Sequence, residues 1–242
     1  ADVPIVPTEW PTLPGQSHRG SPAGLTADRS RAKLIWYGMV KRASSSLFST
    51  VCGWNASGQE NVPASGGALL VSNHLSFLDV FMLGVPLDRP LNYVARSSLF
   101  LPGLGFLIDS VGGFPINREG MGAAGFKETL RRLRNGGIVT LFPEGTRSQT
   151  GELGPIKPGI AALVTRGRVP VIPTAIAGTF EAWPPNRPLP SAHPIHIHYG
   201  EPILFDRVAK LDANAITAII ENRLRQSVNT ARANLANDMA AI

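Results

Sequence analysis

A histidine and an aspartate stand five residues apart in Asn73-His74-Leu75-Ser76-Phe77-Leu78-Asp79, directly after the apolar run Ala68-Leu69-Leu70-Val71. Those residue types can serve as a general base and its orienting carboxylate. The carboxylate accepts from one ring nitrogen, fixes the tautomer and leaves the other nitrogen free to take a proton. The apolar run, preceded by Gly66-Gly67, reads as a buried strand that delivers His74 to a helix starting near Ser76. There the positive end of the helix dipole would disfavour imidazolium and favour the neutral ring that a proton acceptor requires. On an ideal helix, residues five apart stand about 140° out of line, so the pair meets only if His74 lies outside the regular helix and folds back. Alone the pair is a loose signal, because a histidine at a strand end is commonly a structural group.

A second segment sharpens it. Phe142-Pro143-Glu144-Gly145-Thr146-Arg147-Ser148 follows another apolar strand, Ile138-Val139-Thr140-Leu141, and places a carboxylate, a glycine and an arginine in a loop at a strand's C-terminal end. Open α/β sheets bind ligands at that end.

With these two segments the chain resembles the glycerolipid acyltransferase family, and four of its blocks occur in order. Residues 73–79 match the H-x-x-x-x-D block, and Gly113-Phe114-Pro115-Ile116-Asn117-Arg118 is similar to the second block, which ends in arginine. Phe142 to Ser148 resembles the third block at every position, and Val169-Pro170-Val171-Ile172-Pro173 resembles the fourth. Two positions depart from the pattern. Asn117 stands where many members carry aspartate, and Arg96 stands where lysine is common, so that a planar fork replaces a point charge.

The resemblance implies transfer of a fatty acyl group from a thioester, on coenzyme A or acyl carrier protein, to the sn-2 hydroxyl of 1-acyl-glycerol-3-phosphate (lysophosphatidic acid), giving phosphatidic acid. Other acceptors of the same family form the alternative: glycerol-3-phosphate, another lysophospholipid or a lyso-ornithine lipid. A lipid thioesterase or an inactive lipid-binding module is a more distant one. His74 would be the base and Asp79 its orienting group. Arg118 and Arg147 would hold the acceptor's phosphate through forked donors, with Arg96 and Lys157 as secondary candidates. Glu144, Gly145 and Thr146 would lie along the glycerol part. Backbone N–H groups near the start of the 76–84 helix are candidate donors to the oxyanion. No cofactor and no metal is called for. Ser76 and Cys52 are the obvious nucleophiles for a covalent route, but neither has the glycine context of a nucleophile elbow.

The 242 residues suit one domain with appendages. We expect a Pro/Gly/Ser-rich flexible arm over 1–30, an amphipathic membrane-associating helical segment over 31–55 and the acyltransferase domain over 56–242. Residues 1–25 lack the charged start and continuous apolar stretch of a signal peptide, and no apolar run is long enough for a transmembrane helix. In 31–51, Leu34, Ile35, Trp36, Tyr37, Met39, Val40, Leu47, Phe48 and Val51 interleave with Arg31, Lys33, Lys41 and Arg42. Such a helix either lies in a bilayer interface or packs on the domain's own core. The resemblance favours the first, with peripheral or monotopic attachment on the cytoplasmic face.

A net charge of +6 and a pI near 10 favour acidic partners. Aromatic residues do not interleave with the basic ones as in single-strand binders, so nucleic acid is not among the expected partners. Neither a dinucleotide fingerprint nor a phosphate-loop lysine motif occurs. His193, His196 and His198 cluster, and the last two share a strand face, but no cysteine or carboxylate other than Glu201 is near in sequence, and the strand reads as ordinary alternation. The expected elements are strands at 68–72, 91–95, 138–142, 169–177 and 195–199, with helices at 76–84, 104–110, 121–135, 158–167 and 212–236. That alternation predicts an α/β fold with a mixed, largely parallel sheet flanked by helices.

Overall fold

The computed structural model describes residues 30–97, 104–110, 112–116 and 122–241. Its centre is a sheet of seven strands: β1 (Trp54–Ser57), β2 (Ala68–Ser72), β3 (Leu91–Arg96), β4 (Gly113–Ile116), β5 (Ile138–Leu141), β6 (Val171–Ala177) and β7 (Ile195–Tyr199). The order is β1-β7-β6-β2-β5-β3-β4, and every neighbouring pair is parallel except β6 with β7. The mixed, largely parallel sheet is therefore as expected. All residues of β2 and β6 are buried, because central strands are covered on both faces, and apart from Ser72 and Thr174 their side chains are apolar.

Two helical layers provide that cover. On one face α4 (Gly122–Arg134), α5 (Ile160–Gly167) and α8 (Ala213–Ala240) set Leu133, Leu163, Leu224 and Val228 against Leu69, Val71, Val139 and Ala175. On the other face, α2 (Asp79–Met82) and its flanks bring Leu78, Met82 and Leu83 onto Leu70, Ile138, Ile172 and Ile176, and Phe48 of α1 (Arg31–Val51) packs against this cluster. Asp212 caps α8, its side chain accepting from Ala215 N at 2.8 Å. Short helices α3 (Leu104–Ser110), α6 (Thr179–Ala182) and α7 (Phe205–Val208) complete the set.

The expected helix at 76–84 shrinks to the single turn of α2, since the chain over 73–78 is loop and turn. Two strands were not anticipated, β1 and β4. Both are four-residue edge strands, and β4 contains Pro115, which lacks an N–H and is tolerated at an edge. Because β1 begins at Trp54, the segment drawn as 31–55 ends inside the sheet, while its helix stops at Val51.

Helix α1 has no fully buried residue, and it is two-sided. Tyr37 meets Leu91 N through its hydroxyl at 3.2 Å, and Phe48 packs inward. Ile35, Trp36, Met39 and Leu47 are 65, 40, 56 and 58% exposed. No helix among the described residues is long and apolar enough to cross a membrane.

Candidate active site

The loop after β2 folds His74 back onto Asp79. Asp79 is fully buried, and its Oδ2 accepts from His74 Nδ1 at 2.8 Å, Leu75 N at 2.7 Å and Ser76 N at 2.9 Å. The Thr179 hydroxyl donates to Oδ1 at 2.7 Å, so four donors surround one acceptor-only group. The geometric condition set by the five-residue spacing is met because His74 lies in the loop before α2, where the Asp79 carboxylate captures the N–H groups three and four residues upstream. The helix-dipole argument for His74 therefore lapses: α2 has four residues and starts at Asp79, beyond the histidine. The ring is held by two contacts instead, the Asp79 hydrogen bond and a stack on Phe142 with centroids 4.0 Å apart at 17°. With Nδ1–H given to Asp79, the lone pair sits on Nε2, which has no protein partner among the described residues, and the side chain is 17% exposed.

The loop after β5 grips the same backbone. Glu144 Oε1 accepts from His74 N at 2.9 Å and Oε2 from Gly154 N at 2.8 Å, while Ser148 N donates to His74 O at 2.8 Å. Burial pushes the Glu144 carboxyl upward, against the lowering effect of the two backbone donors. Both of its oxygens thus face backbone, rather than the open space where a glycerol contact was anticipated. Gly145 adopts φ +73°, and a β-carbon there would stand 2.5 Å from the Lys157 ammonium, which lies over this turn. Thr146 is exposed.

Arg147 lies over the Phe77 ring, its guanidinium carbon 3.7 Å from the centroid, and Phe77 leans on Trp183 at 5.8 Å. Arg147 forms no ion pair among the described residues. Partial burial lowers its guanidinium from the ordinary value, and the nearby Asp79 charge opposes this. A half-buried cation stacked against the loop that carries His74 and Asp79, with no carboxylate partner among the described residues, can take an anionic ligand.

Of the remaining expected residues, Arg96 ends β3 in register with Ile116, and Arg118 lies outside the described residues, as does Asn117. Ser76 is fully buried with its hydroxyl donated to Trp183 O at 2.8 Å, so it is no nucleophile, and Cys52 is partly buried against the α2-side cluster. The N–H groups of Leu75, Ser76 and Leu78 are committed to Asp79 and to the Ser76 hydroxyl, which removes them as oxyanion donors. Asn73 bonds both ways to Ile176, at 2.9 Å from Nδ2 to its carbonyl and 2.9 Å from its N–H to Oδ1, locking the end of β2 to β6. Among the described residues no three His, Cys, Asp or Glu side chains could hold a metal ion.

The sequence profile of the family described as Acyltransferase matches residues 54–177, just over half of the 242 residues, and all four blocks fall inside that span. The chain belongs to the acyltransferase family. Within that family it is 34% identical over 122 residues to a 1-acyl-sn-glycerol-3-phosphate acyltransferase of Bacillus subtilis, covering 50% of this chain and 60% of that one. It is 33% identical over 171 residues to the chloroplastic 1-acyl-sn-glycerol-3-phosphate acyltransferase BAT2 of Brassica napus, covering 68% of this chain and 48% of that one. The chain thus spans about half the length of these curated relatives. The crystal structure of the 1-acyl-sn-glycerophosphate (LPA) acyltransferase PlsC from Thermotoga maritima superposes with a TM-score of 0.70 at 22% identity, covering 85% of this chain and 84% of that one. The chain therefore shares that fold.

Proposed function

We propose that this acyltransferase moves a fatty acyl group from a thioester to the free sn-2 hydroxyl of 1-acyl-glycerol-3-phosphate, giving phosphatidic acid. The observation that carries the reading is the His74–Asp79 hydrogen bond, with Nε2 meeting no partner among the described residues and Arg147 stacked on Phe77 of the same loop. The names of the two relatives support the acceptor.

His74 Nε2 takes the hydroxyl proton as the acceptor oxygen attacks the thioester carbonyl. Asp79 stabilises the imidazolium and keeps the ring in register. The tetrahedral intermediate collapses with cleavage of the C–S bond, and the thiolate leaves and is protonated from His74. Because the acceptor attacks directly, no acyl-enzyme is formed. Arg147 holds the acceptor's phosphate, and the Phe77 stack fixes the direction of its fork. Arg118 would add a second fork by resemblance to the family's second block. Arg147→Ala is expected to raise the acceptor's apparent Michaelis constant more than it lowers turnover, and an unchanged constant would unseat the phosphate role. The acyl donor is a coenzyme A or carrier-protein thioester, and the exposed apolar side of α1 rests on the cytoplasmic membrane surface that presents the lipid acceptor.

Thiol release from palmitoyl-coenzyme A, measured with and without lysophosphatidate and with product mass spectrometry, tests the reading. Release that requires lysophosphatidate and yields phosphatidate supports it. Release independent of any acceptor would make the protein a thioesterase, and release only with glycerol-3-phosphate or lysophosphatidylcholine would change the acceptor.

A further inference from the structure

A second constellation lies on the opposite face of the sheet. His196 and His198 alternate along β7 with Ile195, Ile197 and Tyr199, whose side chains join the α2-side cluster, so the two histidines point to the face covered by α8. There Asp238, in the last turns of α8, places Oδ2 2.6 Å from His196 Nδ1. His196 Nε2 lies 3.0 Å from the hydroxyl oxygen of Ser57, the last residue of β1. From Ser57 to the β2 end that carries His74 is three strands, about 14 Å at the usual strand spacing.

Counting donors fixes how the protons sit. Asp238 only accepts, so His196 carries its proton on Nδ1 and presents a lone pair at Nε2. The Asn234 amide nitrogen only donates, and it lies 3.1 Å from Ser57 Oγ and 3.2 Å from His196 Nε2. His198 Nδ1 is 2.9 Å from the same oxygen. Whichever imidazole receives it, the Ser57 hydroxyl proton is directed at a ring nitrogen, and at least one further group donates to its oxygen. Burial and the neighbouring His196 lower His198 from the ordinary imidazole value. Nucleophile, base and orienting carboxylate within hydrogen-bond reach, in that order, constitute the arrangement of serine-nucleophile catalysis. An apolar helix–sheet contact requires none of it, because Ala175 and Ala177 of the neighbouring β6 join Leu224 and Val228 of α8 in one apolar cluster.

We propose that Ser57, His196 and Asp238 form a second catalytic site, a serine hydrolase centre for carboxylic esters or thioesters presented at the β1 edge of the sheet. Ser57 is half-buried on β1, an edge strand among the described residues, and the acyl group would enter from that edge. Ser57 Oγ attacks the ester carbonyl as its proton passes to His196 Nε2. The Asn234 amide meets the charge that develops on the carbonyl oxygen. The bond to the leaving oxygen or sulfur breaks, and His196 returns the proton to that alcohol or thiol. Water, deprotonated by His196, then attacks the acyl-Ser57 ester, releasing the carboxylic acid and restoring the serine. This site uses no residue of the His74 centre.

The test uses the full chain, p-nitrophenyl butyrate and a fluorophosphonate probe, with peptide mass spectrometry to locate the label. Wild type and His74→Ala are both expected to hydrolyse the ester and to be labelled at Ser57. Ser57→Ala should lose both, and Asp238→Asn should slow both by at least about tenfold while its circular dichroism stays native. If folded wild type takes no label at Ser57, or if Ser57→Ala and Asp238→Asn hydrolyse the ester at the wild-type rate, the cluster is a polar clamp between α8 and the sheet and the proposal falls. The Asp238→Asn arm guards against a Ser57→Ala variant that merely fails to fold.

Discussion

At the scale of single residues, the His74 centre is a set of backbone grips around one ring. His74→Ala is expected to lower turnover by about 10²–10⁴-fold, the usual worth of a positioned general base, with the circular dichroism spectrum unchanged; acyl transfer at the wild-type rate would remove the base. Thr179→Val deletes one of the four donors to the buried Asp79 and leaves the other three. It should cost about 1–3 kcal/mol in denaturant melts and lower turnover less than His74→Ala does, and a variant as stable and as active as wild type would mean that Asp79 is held by the loop alone. Sequence disclosed this centre unevenly. The short separation of His74 and Asp79 could be read directly, since both partners belong to one loop. Thr179 could not, because it reaches Asp79 across 100 residues and only the parallel pairing of β2 with β6 brings their ends together. Glu144 was visible as a site residue, but its bond to His74 N is a matter of tertiary register. The one available sign for Thr179 was its place directly after a strand end and a glycine, Ala177-Gly178-Thr179.

At the scale of elements, side-chain competition decided where patterns misled. Ser76 to Gly84 carries apolar residues at helical spacing and no proline, yet the regular helix is confined to Asp79–Met82, with the N–H groups of Leu75 and Ser76 turned to the Asp79 carboxylate ahead of it. Long, strongly patterned segments were legible: the 21 residues of α1 begin and end where the basic and apolar interleaving does, and β2 and β6 are apolar except at Ser72 and Thr174. Edge strands of four residues carry too little pattern to announce themselves. Helix α4 is tied to the sheet by Glu128 and Arg132: Glu128 accepts from Arg131 at 2.8 Å and Arg132 at 2.7 Å, and Arg132 reaches Asn92 of β3 at 2.7 Å. The Arg131 hydrogen bond, with Arg132 adding to it, pulls the Glu128 carboxyl from the ordinary 4.5 to about 2. A depressed carboxylate stabilises the folded state at pH values above its ordinary value, and the contribution is lost as pH falls from there through about 2. Glu128→Gln should therefore melt below wild type at neutral pH, with the gap closing as pH drops below 4.5. A gap that stays constant with pH would assign it to packing.

At the scale of the whole molecule, charge and apolar surface coincide on α1. The chain carries a net charge of +6, and the exposed apolar side chains Ile35, Trp36, Met39, Leu47 and Val51 fall within about 160° of one another around the helix at 100° per residue. Because Tyr37 and Phe48 anchor the helix to the core, the two readings of 31–51 are two sides of one element: one side packs inward and the other is left bare. A bare stripe of that kind beside Arg31 and Arg42 suits an anionic bilayer surface, with the apolar side chains entering the acyl boundary and the cations meeting headgroups. Deleting the helix would also strip packing from the core, so point substitutions separate the two effects. Replacing Trp36, Met39 and Leu47 together by serine should leave the melting temperature unchanged and weaken binding to phosphatidylglycerol-containing vesicles by at least about tenfold, since each side chain loses the transfer energy of a large apolar group. Wild-type binding should weaken as salt rises, because the cationic share of the attraction is screened. If the triple variant binds vesicles as wild type does, the bilayer contact lies elsewhere and α1 is a packing element with a solvent-facing apolar side.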